Sequence, residues 1–396
     1  MKTNTIASHN INVLFWVQFF GAVSFIQPVL SLFYFERGLN ESLILLTMFF
    51  WSFSVLICEI PTGVFADRFG AKVSFLTGSV IKFFSISILL FADEPWMFFL
   101  SAALNGFSVT FFSGADEALI YESLKESNEH HLMDQAMGKI ISAGFISTII
   151  AVILGSIIAK DLENEQFILL IALGLFFQLV EIIFICFVKN PKHQGSYRNN
   201  PLKQVGAGIK AIRKTPLLLL MFLNVTLVFI PSGAVYEKFD QLIFHNAGLP
   251  VIFIGMFYSF AAIIGFFASR SIGLMTKRIS RIFLMNLTGV LTVVGLLLSA
   301  LFGETLWIVL GAFFILRFVR AIRYPIYSQL SNDLIPSDVR ATTISLLSII
   351  DSGLDLIIFG FLAGVALNGL NHILMICAAI AFIGTILPLK GRTKRS

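Results

Sequence analysis

Asp351 and Asp355 stand four residues apart in a stretch otherwise built from Ile, Leu, Ser, Gly and Phe. On a helix that spacing puts both carboxyls on one face, and such a pair in an apolar setting is suited to load and release a proton. Arg317, Arg320 and Arg323 recur every third residue. They form a stripe of fixed cations that either grips an organic anion or neutralises Asp351 or Asp355 in a structural salt bridge. A further acid pair, Asp116-Glu117, lies 206 residues before Ile322-Arg323. The fourth group is Gly63-Val-Phe-Ala-Asp67-Arg68-Phe-Gly70-Ala-Lys72, which reads as a tight turn carrying fixed charges. In it Gly63 lets backbone approach, Gly70 permits positive φ, and Asp67 is placed to meet the positive end of a helix. Arg68 and Lys72 can hold acids or lipid phosphates, or simply make a basic turn.

The elements that must carry these groups follow from composition. The chain has 396 residues, 57% hydrophobic and 13% charged, with 43 Phe. That is more apolar surface than water-facing cores bury, so lipid is the solvent for much of it. A soluble enzyme, a secreted domain and a nucleic-acid binder are excluded. Cys58, Cys186 and Cys377 all lie in apolar runs, which argues against a disulfide framework and a metal site. No serine or cysteine catalytic constellation appears either, so neither an enzyme nor a cofactor is expected.

Twelve predominantly apolar windows, each near the ~20 residues needed to cross a bilayer, predict membrane helices: Ile11–Phe35, Ser42–Thr62, Val73–Ala92, Pro95–Tyr121, Ile140–Ala159, Gln166–Val188, Pro216–Tyr236, Leu249–Ser269, Ile282–Leu301, Thr305–Ser328, Ala341–Asn368 and Ile373–Leu389. They lack the alternation of barrel strands, so the helical reading holds. With both termini cytoplasmic, three of the 28 Lys and Arg fall outside (Arg37, Lys160, Lys238) and four within spans (Lys82, Arg317, Arg320, Arg323), leaving 21 inside. That bias fixes the orientation. The polar, basic stretch Lys189–Thr215 divides the spans six and six, giving an N-terminal bundle (1–188), a cytoplasmic linker (189–215) and a C-terminal bundle (216–396). Ile120-Tyr121-Glu-Ser-Leu124 and Ile326-Tyr327-Ser-Gln-Leu330 echo each other at the 206-residue offset, so the bundles read as an internal duplication.

Twelve spans in two repeats, with a G-x-x-x-D-R-x-G-x-K motif between the second and third, resemble the major facilitator superfamily of secondary transporters over the whole chain. The second half keeps a weaker copy, Gly273-Leu-Met-Thr-Lys277-Arg278, with Lys277 in place of the acid. The fifth span has Gly144 and Gly155 but not the glycine-proline pair that marks drug/proton antiporters. What the resemblance implies is an all-α integral membrane protein with two pseudo-symmetric six-helix bundles rocking about a central cavity, lined by the first, fourth, seventh and tenth spans. Those spans offer Gln18, Gln27, Asn105, Asn224 and Arg317 as polar cavity residues.

At a rise of about 1.5 Å per residue, Asp351 lies roughly 15 Å up the eleventh span, near the midplane, with Arg317 at a similar depth. Lys82, in the third span, is placed to pair with Glu59, whereas Glu181 has no partner legible in sequence. The repeat sets Asp116 and Glu117 against Ile322 and Arg323, which predicts an inner gate of Asp116 or Glu117 with Arg320 or Arg323. The functional expectation is a secondary active transporter of the bacterial cytoplasmic membrane, a monomer moving a small organic molecule by proton-coupled export. The alternatives are an importer or facilitator of an organic anion, suggested by the arginines, and a non-transporting receptor. A small-molecule substrate, a coupling proton and the bilayer are the expected partners.

Overall fold

The computed structural model describes residues 5–191, 216–335 and 340–389. Most of the expected linker therefore lies outside the described residues, as does the basic C-terminal tail. The described chain is helical throughout: α1 (Ile6–Gly21), α2 (Leu30–Glu36), α3 (Glu41–Phe69), α4 (Ala71–Leu89), α5 (Pro95–Thr110), α6 (Ala115–Glu126), α7 (Met133–Ile158), α8 (Asn164–Ile185), α9 (Pro216–Phe229), α10 (Tyr236–Asn246), α11 (Ile254–Arg278), α12 (Arg281–Leu301), α13 (Leu306–Leu334), α14 (Arg340–Val365) and α15 (Leu370–Ile386). Local chemistry sets several starts. Thr5, Asn40 and Ser280 each accept an N–H bond from the first turn of α1, α3 and α12, satisfying donors that a helix leaves orphaned.

Nine helical segments among the described residues are long and apolar enough to cross a membrane. Three expected spans fall outside that set for visible reasons. The first is broken: α1 stops at Gly21, residues 22–26 are non-helical, and a 3₁₀ turn (Gln27–Val29) leads into α2. The tenth, α13, carries all three arginines, and the last, α15, has 17 residues. Large apolar side chains stand outside on many segments, among them Ile60 at 68% and Phe267 at 66% exposure, as expected where lipid rather than water covers the surface.

Two compact units form, residues 1–197 with 251–256, and residues 198–250 with 257–396. In the first, a core of Ile11, Leu14, Leu119, Ile120, Leu124 and Ile185 ties α1, α6 and α8 together. Residues 251–256 join it because Gly255 sits on α7, its N–H donating to Ser156 Oγ at 3.1 Å. A corresponding core in the second unit holds Leu218, Met221, Leu284, Ile322 and Ile326. Ile120 and Ile326, matched in the sequence echo, are 1% and 2% exposed in their own units.

Three expectations are corrected. The seventh span does not end at Tyr236; a π-helical segment (Ile230–Val235) carries it across Pro231 and Gly233 into α10. The fourth bends at residues 111–114, where Gly114 takes φ 71° between α5 and α6. The glycine-rich motif is not a loop either. Residues 63–69 are the last two turns of α3, and the turn is Gly70 alone, at φ 85°. Gly63 has open space where a Cβ would stand, so it does not serve a close backbone approach in this unit.

Candidate functional site

Among the described residues, a cluster of charged side chains in the second unit is built by α10. Glu237 and Asp240, one turn apart, face Arg317 and Arg320 of α13. Arg317 Nη1 lies 2.6 Å from Glu237 Oε1 and its Nη2 lies 3.0 Å from Asp240 Oδ2. Arg320 donates to the same Glu237 oxygen. Asp240 is fully buried and also accepts from the Tyr258 hydroxyl. The Arg317 guanidinium stands 5.3 Å from the Tyr258 ring centroid and 5.1 Å from that of Phe313, while Arg320 stands over Phe229 at 5.4 Å. Two cations meet two carboxylates here, a balance that membrane burial demands.

Sequence reasoning missed both acids, because the expected seventh span ends at Tyr236, one residue before Glu237. The available signal was the matched spacing, acid-x-x-acid against Arg-x-x-Arg. Arg317 is consequently not the partner of Asp351. The Asp351 carboxylate instead accepts from Thr226 Oγ1 at 2.9 Å, a neutral donor on α9, and Asp355 lies one turn further along α14.

Arg323 is deeper still, at 3% exposure. It donates to the Asn224 carbonyl and to Thr288 Oγ1, both at 3.0 Å, and also to Asn224 Oδ1 and the Met285 carbonyl. Asn224, fully buried, in turn donates to the Gly384 carbonyl at 2.7 Å. One cation thereby ties α9, α12, α13 and α15, and its environment is protein. Both arginines assigned to an inner gate, Arg320 and Arg323, thus have partners inside their own unit.

In the first unit, a cavity of about 520 Å³ is lined by Asp67, Gly70, Ser113, Gly114, Glu117 and Asn190, among others. It brings the motif acid Asp67 together with Glu117 and the N-terminal end of α6. Asp116, beside Glu117, turns its Oδ1 back onto the Glu117 N–H at 2.7 Å. Arg68 lies over the Phe69 ring at 5.4 Å. Lys72 donates to the Cys186 carbonyl at 2.5 Å, where a cation meets the negative end of α8. Of the polar residues assigned to a substrate cavity in this unit, Asn105 accepts from Trp51 Nε1 at 3.1 Å. Gln18 lies exposed against Gly144, and Gln27 is exposed in the 3₁₀ turn. Lys82 does not pair with Glu59, which accepts from Ser113 Oγ at 2.6 Å; its anion is Glu181, at 3.7 Å.

Comparison with known proteins agrees with this architecture. Over 188 residues the chain is 24% identical to the multidrug resistance protein MdtH of Proteus mirabilis, covering 48% of this chain and 44% of that protein. Over 86 residues it is 31% identical to MdtH of Yersinia enterocolitica, covering 20% and 21%. The matched stretch thus spans less than half the length of these curated relatives. Among solved structures, a variant of the nucleoside transporter NupG superposes with a TM-score of 0.80 at 15% identity, covering 96% and 98% of the two chains. A D-xylose-proton symporter gives 0.73 at 12% identity, covering 96% of each. At such identities the likeness is one of fold. The family described as the Major Facilitator Superfamily matches residues 14–358, nearly the whole chain, and the protein therefore belongs to this superfamily of membrane transporters.

Proposed function

We propose that the chain is a proton-coupled exporter, a secondary active transporter that moves a small organic molecule out of the cell by alternating access between its two bundles. The observation that carries this reading is Asp351. It is a carboxylate within an apolar helix whose contact is the neutral Thr226 hydroxyl, while Arg317, the cation best placed by depth to neutralise it, is occupied by Glu237 and Asp240. A carboxylate with no counter-ion among the described residues can exist both with and without its proton, as coupling requires. The efflux direction takes its support from the relatives named as multidrug resistance proteins.

The importer of an organic anion is the weaker reading, since two arginines of the stripe that suggested it, Arg317 and Arg320, are paired with α10 acids and the third, Arg323, is buried against Asn224, Thr288 and Met285. The same proposal includes twelve spans, both termini in the cytoplasm, a monomer in the bacterial inner membrane, and a cavity to which Gln18, Gln27 and Asn105 contribute; Asn224, fully buried against Arg323 and Gly384, is not part of it. Its test is flux in proteoliposomes with an imposed pH gradient, using a panel of cationic, neutral and anionic drugs and metabolites. Uptake into inside-out vesicles that are acidic inside, abolished by a protonophore, is the expected result. Uptake indifferent to the gradient for every compound transported would leave a facilitator.

A further inference from the structure

The break in the first membrane segment is built around a partly buried ion pair from two other helices. Where α1 stops, the Gly21 carbonyl loses its helical partner, and the negative end of the helix points at that place. Lys82 of α4 fills it, its Nζ donating to the Gly21 carbonyl at 2.7 Å. Glu181 of α8, 4% exposed at its side chain, supplies the counter-charge 3.7 Å away. Its second oxygen accepts from Ser79 Oγ at 3.3 Å, and Gln178 donates to the oxygen nearer Lys82. The fit against α1 is close. A Cβ on Gly21 would stand 2.7 Å from Glu181 Oε1, so glycine alone lets the carboxylate lie flat on the broken end.

A main-chain carbonyl at a helix break and a carboxylate are hard oxygen ligands, of the kind that take up an alkali-metal ion where membrane helices unwind. Here the protein supplies an ammonium instead. The Lys82 side chain retains 23% exposure, so the place it occupies is reachable from outside the protein. We propose that the Gly21 carbonyl and Glu181, whose other oxygen is held by Ser79, form a monovalent-cation site whose resident ion is the tethered ammonium of Lys82. The tether holds the bend in the first segment closed without any dissolved ion, and it keeps Glu181 compensated at membrane depth.

The test is thermal unfolding of the purified protein in detergent, at constant ionic strength, with N-methylglucamine chloride replaced stepwise by sodium, lithium, potassium or ethylammonium chloride. The wild type should be indifferent to the exchange. Lys82→Ala opens the site, so at least one of these cations should raise its Tm saturably, by roughly 2–4 °C once the ion is well above its dissociation constant. Lys82→Met removes the same charge but fills the space, and should not respond. Adding Glu181→Gln to Lys82→Ala should abolish the response. The proposal is overturned if Lys82→Ala responds to none of the four cations, or if the double variant responds as strongly as the single one. Failure of Lys82→Ala to accumulate in cells also counts against it, because the sodium and potassium of the medium and cytoplasm would occupy a competent site. None of these readouts depends on transport or on its coupling.

Discussion

At the scale of residues, the chemistry is governed by which charges find partners. Asp240 is fully buried and held by Arg317 and Tyr258. Asp240→Asn leaves part of a buried guanidinium uncompensated, and should lower stability by on the order of 3 kcal/mol. Arg317→Gln should cost a comparable amount by stranding the acids. Because both changes break one contact, the double variant should be well short of additive in thermal unfolding; simple additivity would mean that the pair is not coupled. The motif glycines separate two effects in the same way. Gly70→Ala must hold φ 85°, and should cost about 1–2 kcal/mol. Gly63→Ala, in open space inside α3, should be neutral or stabilise by up to about 1 kcal/mol. Equal effects on unfolding at the two positions would contradict the one-residue turn.

At the scale of elements, hydropathy marked the apolar segments, nine of which form helices long and apolar enough to cross a membrane among the described residues, but it did not mark their interruptions. Pro231 and Gly233 terminate helices in water, yet here a π-helical segment keeps the backbone bonded and continues into α10, as a low-dielectric solvent requires. That continuation carries Glu237 and Asp240, so missing it meant missing half of the charged cluster. The first segment fails in the opposite sense: Ile11–Phe35 has no charged residue to mark a break, and the partners that stabilise one, Lys82 and Glu181, come from α4 and α8. Partners drawn from distant helices are set by packing, which sequence spacing does not encode. The charges themselves were legible, as was the Asp67 motif, because membrane burial makes ionisable residues rare. Within the seventh segment, the π region also yields an expectation. Deleting Ser232 should shift Glu237 and Asp240 by about 100° around the helix axis, and lose much of the stability that the Asp240 and Arg317 variants lose. Unfolding unchanged by the deletion would show that α10 does not position the acids.

At the scale of the whole molecule, family membership and the division into two units leave topology and coupling as the claims to test. The 21-to-3 distribution of basic residues predicts that a reporter fused after Asn190 is cytoplasmic; a periplasmic signal there would invert the proposed orientation. The Ile-Tyr echo picked out Ile120 and Ile326, which enter the cores of their respective units. Direction and driving ion were not legible, because they depend on differences between conformational states rather than on any local pattern. The measurement that bears most directly on the central claim is transport by Asp351→Asn in proteoliposomes, with gradient-driven accumulation and downhill exchange of one substrate compared side by side. The account predicts that exchange persists within a few-fold of wild type while accumulation against a gradient falls to background. Undiminished accumulation in Asp351→Asn would contradict it, and would move the coupling proton to another carboxylate.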